Sequence, residues 1–188
     1  MKKGIASWIL ITGSVIIGIT IFFIGTSLIM KQMKMSQKQN ILEQFQDFYT
    51  KIKIICETSG KENKYYYDII IPNNVRAVYV ANSSIETPPD KVSELITNQE
   101  TSAGNYLCIQ FFDDNLPICQ DIGCMTRFTY IGTPSLKTTL QTLIASIKGN
   151  YPVFEYNIII EKTDQYFLNV SSSPVIAKKI STNTNSTI

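Results

Sequence analysis

The sequence predicts an α+β fold. A long N-terminal helix, membrane-spanning in its inner half and amphipathic in its outer half, carries a β-rich globular head with one packed helix. Three observations predict it. From Gly4 to Met30 no ionisable side chain occurs. Beyond Met30 the apolar residues recur with helical period as far as Cys56. From Lys64 onward, runs of aromatic and β-branched residues alternate with turn residues. At 188 residues the chain holds one ordinary domain plus that N-terminal segment.

The uncharged stretch reaches roughly 40 Å as a helix, enough to cross a hydrocarbon core of about 30 Å with some tilt. A secretory signal has an apolar core of roughly 7–15 residues followed by a small-residue cleavage site. Here the run is longer, and Lys31-Gln32-Met33-Lys34 stands where that site belongs. The segment is therefore expected to stay on the protein, with residues 5–30 as a transmembrane helix. Within it Ser7, Ser14, Gly18 and Gly25 share one side of the helix. Such a strip admits a second helix at close range; the alternative is chance alignment of residues common in membrane helices.

Residues 31–58 continue the helix as an amphipathic one. Ile41, Phe45, Phe48, Ile52 and Ile55 form one face, widened by Leu42 and Tyr49. No proline or glycine interrupts the chain between Met30 and Gly60. One nearly continuous helix from about Ile5 to Cys56 follows, with Gly60 suited to close it.

The head is expected over residues 61–170. KYYYDIII and VRAVYVA read as strands separated by the turn residues Pro72-Asn73-Asn74. GNYLCIQFF, MTRFTYI, VFEYNIIIE and QYFLNV read likewise, the last two joined at Lys162-Thr163-Asp164. A short helix over Pro89–Ile96 would turn Val92, Leu95 and Ile96 inward. A longer one opens with Thr133 as cap and Pro134 in its first turn, and ends at Gly149. Its face of Leu136, Leu140, Leu143, Ile144 and Ile147 would pack on the sheet. Residues 171–188 read as a mobile polar tail; the alternative makes Val175, Ile176 and Ile180 an added strand or a subunit contact.

The net charge of +2 is unevenly placed. Residues 31–56 hold five lysines against Glu43 and Asp47, while the remainder of the chain beyond them is net acidic. No stretch has the dense basic clustering of a nucleic-acid footprint, so no nucleic-acid partner is expected. Catalysis needs a nucleophile, base or metal in mutual reach. The chain has no histidine, no phosphate-cradling glycine loop and no CxxC pair. Tyr65-Tyr66-Tyr67 reads as a sticky patch or, with alternating faces, as core. Asp113-Asp114 reads as an exposed turn, with a weak calcium contact as the remote alternative. No enzyme activity, cofactor or metal site is expected.

Cys56, Cys108, Cys119 and Cys124 all lie outside the apolar stretch, and an even count there points to two disulfides. Three pairings are open, and a local bridge from Cys119 to Cys124 across Gly123 is feasible. Four reduced thiols in an inward-facing head is the alternative.

Lys3-Gly4-Ile5-Ala6, followed at once by an apolar helix, an amphipathic extension and a head, resembles the start of type IV pilin-like proteins, archaeal ones especially. The resemblance covers residues 1–56. It implies a class III signal peptide with leader 1–4, cut between Gly4 and Ile5 by a prepilin-type peptidase. Ile9 stands where many pilins carry a glutamate at the fifth mature position. The implied function is a structural subunit, major or minor, of a cell-surface filament or its assembly machinery. Its partners would be membrane lipid, the peptidase, and like subunits or other pilin-like proteins. Sequons at Asn82, Asn169 and Asn185 and the cysteine count favour a single-pass protein with its N-terminus cytoplasmic and its head extracytoplasmic. The alternative is a membrane-anchored surface protein with a partner-binding ectodomain and no polymer.

Overall fold

A computed structural model describes residues 3–58, 64–134, 153–164 and 166–175, with the side chains of 3–12, 30, 33 and 34 left aside. Helix α1 runs Lys3–Glu57. Thr20, Thr26 and Thr50 donate their hydroxyls to carbonyls four residues back at 2.7–2.9 Å, so their polar atoms are satisfied within the helix. The chain divides into two compact units, Met1–Glu43 and Gln44–Ile188.

The second unit is built on six strands: β1 (Lys64–Pro72), β2 (Val75–Ala81), β3 (Thr101–Phe111), β4 (Ile118–Thr129), β5 (Val153–Asp164) and β6 (Phe167–Val175). A short helix α2 (Val92–Thr97) lies between β2 and β3. The sheet order is β1-β5-β6-β4-β3-β2, antiparallel except for β4 against β6. Consecutive strands β1 and β2 thus form opposite edges, although only Asn73 and Asn74 separate them. In a flat sheet those edges would stand about 24 Å apart, at roughly 4.8 Å per spacing. A two-residue link spans about 10 Å. The sheet must therefore curl until its edges approach at that end. Tyr156 on β5 donates to the Gly132 carbonyl at 2.7 Å, and Gly132 lies against Arg76 and Ala77 of β2. Thr133 Oγ1 donates to the Pro72 carbonyl at 3.2 Å.

Register breaks supply curvature. On β4 the steps from Asp121 to Thr126 face only Gly104 to Tyr106 on β3, so Ile122 to Met125 stand out of the β3–β4 ladder. Gly123, at φ 85°, takes the left-handed turn there, and its N–H donates to Asp121 Oδ1 at 2.9 Å.

Two cores result. On one face Phe48 stacks on Tyr67 (5.4 Å between centroids) and meets Phe128 (5.8 Å). Phe45, Ile52, Ile122, Ile158, Leu168 and Val170 are buried there in the same unit. The other face carries Ala77, Tyr79 and Cys108, roofed by Val92 and Ile96 of α2.

Several expectations are corrected. The fold is mostly β with some helix, a mixed six-stranded sheet, and the second unit takes only the end of α1 and α2 as its described helices. Among the described residues no helix is long and apolar enough to cross a membrane. Single-pass anchoring, with the N-terminus inside and the head outside, is overturned by the same finding. Absence of charge between Gly4 and Met30 does not by itself make a span. Lys162 to Asp164 lie inside β5 rather than in the turn, and β6 extends to Val175, into the expected tail. The helix expected after Pro134 and the rest of the tail lie outside the described residues.

At Gly104 an added methyl would stand 2.0 Å from the backbone oxygen of Ala81. Gly104→Ala is expected to cost about 1–3 kcal/mol through forced separation of β2 from β3, measured by denaturant unfolding; an unchanged midpoint would refute the close approach.

Candidate assembly surface and the anchored end of its helix

From Val15 to Ile29, α1 presents ten large apolar side chains, Val15, Ile16, Ile17, Ile19, Ile21, Phe22, Phe23, Ile24, Leu28 and Ile29, each 52–67% exposed. Apolar surface of that extent marks an interaction site when it occurs on a protein in water. Of the predicted packing strip, Ser14 is exposed, and a methyl group added at Gly18 or Gly25 would meet nothing within 4 Å. Ser7, Gly4 and Ile5 fall in the first turns of α1, with side chains outside the described residues.

At its other end α1 is tied to the sheet by three devices. The first is apolar: Phe45, Phe48, Ile52 and Ile55 are buried, and Phe48 packs on two sheet aromatics. The second is covalent. The cysteines pair as Cys56–Cys124 and Cys108–Cys119, so the local Cys119–Cys124 bridge is not formed. Cys108 and Cys119 sit directly opposite on β3 and β4, with Cα atoms 4.1 Å apart. Cys124 belongs to the stretch that leaves the β4 ladder, which brings it to the last turn of α1. Residues 68 apart are joined there, and a loop of that size is worth about 4 kcal/mol by chain entropy.

The third device is electrostatic. Lys162 is only 4% exposed, and its Nζ donates to the carbonyls of Ile55 (3.2 Å), Cys56 (2.7 Å) and Thr58. The last carbonyls of a helix lack intrahelical donors and carry its negative partial charge. α1 has no basic residue in its last turn, so the cation comes from the sheet. This role was missed from sequence, although Ile158, Ile160 and Lys162 share the inward alternation of β5.

Along the side of this seat, Tyr67 donates to Asp47 Oδ2 at 3.0 Å, and Lys51 pairs with the same oxygen at 3.2 Å while lying 4.1 Å above the Tyr67 ring. These bonds, from Lys51 first and Tyr67 second, hold the Asp47 carboxyl below its ordinary range. Burial, then the bond to Asp47, pushes the Tyr67 phenol up to about 12. Tyr49 donates to the Asp121 carbonyl at 2.9 Å on the other flank.

The remaining candidates are scattered. Asn82 is exposed in the bend after β2, where its N–H donates to Glu86 Oε2 at 3.0 Å. Asn169 is half-buried within β6, in register between Glu161 and Arg127, and Asn185 lies outside the described residues. Asp113 and Asp114 sit in the β3–β4 loop, and among the described residues no group of three or more His, Cys, Asp or Glu is placed to hold a metal ion.

The chain matches no protein-family model, no curated protein and no solved structure.

Lys162→Met is expected to cost about 2–4 kcal/mol by stranding three carbonyls and removing the charge that meets them, read as a lowered denaturation midpoint; stability equal to the parent would remove Lys162 from the account. Tyr67 makes a second, pH-dependent test. Its phenol ionises at higher pH in the folded chain than in the unfolded one, so its contribution is complete below about 10 and lost as pH rises toward 12. Tyr67→Phe should flatten the fall in stability across that window, and an identical fall in both proteins would assign it elsewhere.

Proposed function

We propose that the chain is a structural subunit, of the type IV pilin-like kind its N-terminus resembles, that joins like subunits through α1 to build a filament or its assembly machinery. The observation that carries this reading is the unburied apolar surface from Val15 to Ile29. Each such side chain contributes roughly 1.5–3 kcal/mol when fully buried, so covering the set is worth on the order of 15–30 kcal/mol as an upper bound. Like helices packed side by side supply that cover. The open space at Gly18 and Gly25 supports close helix approach, where backbone-to-backbone packing strengthens the contact.

The second unit supports the reading from the other side. Its sheet holds the end of α1 over residues 44–57 by apolar, covalent and charge contacts. Two disulfides favour an oxidising compartment.

Sedimentation of the full chain should show concentration-dependent self-association, weakened tenfold or more by Gly18→Leu, since about 1.4 kcal/mol of lost packing suffices. A monomeric parent chain, or a Gly18→Leu variant that assembles as well, would end the proposal. N-terminal sequencing of the protein from its native source tests the resemblance separately: a first residue of Ile5 agrees with it, and an intact Met1 removes it.

A further inference from the structure

The tyrosine run that opens β1 lies on an edge of the described sheet. Among the described residues β1 pairs only with β5, and its far end is covered where Thr133 meets the Pro72 carbonyl. Residues 64–68 are left with no strand on their outer side among the described residues. Tyr66 is 76% exposed, the Lys64 side chain is 55% exposed, and Asp68 and Tyr65 are exposed as well. An open strand edge is a template for a further strand.

We propose that this edge pairs with the same edge of a second copy, antiparallel about a two-fold axis through Tyr66. Side chains alternate along a strand, so only registers centred on a residue keep each face matched with itself. Centring on Asp68 sets two carboxylates opposite each other. Centring on Tyr67 sets Lys64 against Ile70 and Tyr66 against Asp68. Centring on Tyr66 places Lys64 opposite Asp68 of the other copy, twice, and Tyr65 opposite Tyr67. Unlike charges and aromatic pairs directly opposite each other each stabilise a sheet, whereas like charges oppose it. Lys64 already meets Glu161 at 3.4 Å, so in the pair it lies between two carboxylates. Of these three registers, this one has no like-charge pair and no lone charge against an apolar side chain.

The contact is closed by its symmetry: it joins two heads and cannot propagate along a polar array of like helices. It is therefore a second, separate interface, independent of α1, suited to linking heads of neighbouring assemblies.

The test is cross-linking of the full chain. In the proposed register Tyr66→Cys sets two thiols directly opposite, the arrangement Cys108 and Cys119 already occupy. Mild oxidation should then give at least tenfold more disulfide-linked dimer than Asn157→Cys. Asn157 lies one strand inward on the same face, about three strand spacings across and four residues along, or roughly 20 Å, from its own copy. Adding Asp68→Lys should reduce the dimer at least fivefold, and the threefold reversal of Asp68→Lys, Lys64→Asp and Glu161→Lys should restore it, because every pair then has its charges exchanged. Equal cross-linking from positions 66 and 157, or failure of the threefold reversal to restore it with thermal midpoint unchanged, overturns the proposal. Gly18→Leu should leave the Tyr66→Cys dimer intact, which separates this edge from association through α1.

Discussion

Two asparagines connecting the outermost strands of a six-stranded sheet constrain everything else in the head. Asn73 and Asn74 cannot span a flat sheet, so the sheet closes on itself at that end. Closure needs bends, which the register breaks in β2, β3 and β4 provide. It also needs something to fill the concave side. Tyr156 reaches across that side to Gly132, and the same face carries Tyr67, on which Phe48 of α1 stacks. The outer turns of α1 are thus part of the core the curled sheet requires. A helix lying on a flat sheet would bury one stripe; here the sheet wraps toward it.

The end of α1 is accordingly finished from outside the helix. Many helices close with a glycine cap, and basic residues in the last turn are favourable there. α1 has no basic residue there. Lys162 supplies both the donors and the charge from β5, and the neighbouring Cys56–Cys124 bond fixes the same turn to β4. Two distant strands therefore meet at one helical turn, one through a charge and one through a covalent bond. Loss of either leaves the other in place.

How much of this could be read in the residues differs by element. The stripe Ile41, Phe45, Phe48, Ile52 and Ile55 was legible because helical periodicity is a local signal, and all five side chains are buried. The strands were legible from β-branched and aromatic runs, and α2 from Val92 and Ile96. Strand order was not. A turn such as Pro72-Asn73-Asn74 marks a change of direction and says nothing of which strand each side will pair with. The cysteine pairing was hidden for the same reason, since Cys124 reaches α1 only through a stretch that leaves the ladder. Lys162 looked like a turn residue because it precedes Thr163 and Asp164; its place two residues beyond Ile160 was the better signal. The membrane expectation rested on the absence of charge from Gly4 to Met30, and among the described residues no helix has the length and apolarity of a span.

The apolar surface of α1 and the open edge of β1 differ in scale, and the difference orders them. Ten apolar side chains on α1 offer a large, non-directional gain when covered. The open part of β1 offers five residues, two ion pairs and a few aromatic contacts, each worth a fraction of a kcal/mol to about 1 kcal/mol. Alone, that edge holds a dimer weakly. In the proposed helix-joined assembly each head would be presented at a high effective concentration, and repeated weak contacts would add without any one becoming strong. Lys64 and Asp68 charge the edge, which opposes indiscriminate pairing, and in the proposed register the same charges become complementary. A strand protected against indiscriminate pairing would in this way be selective for its own copy under the proposed pairing.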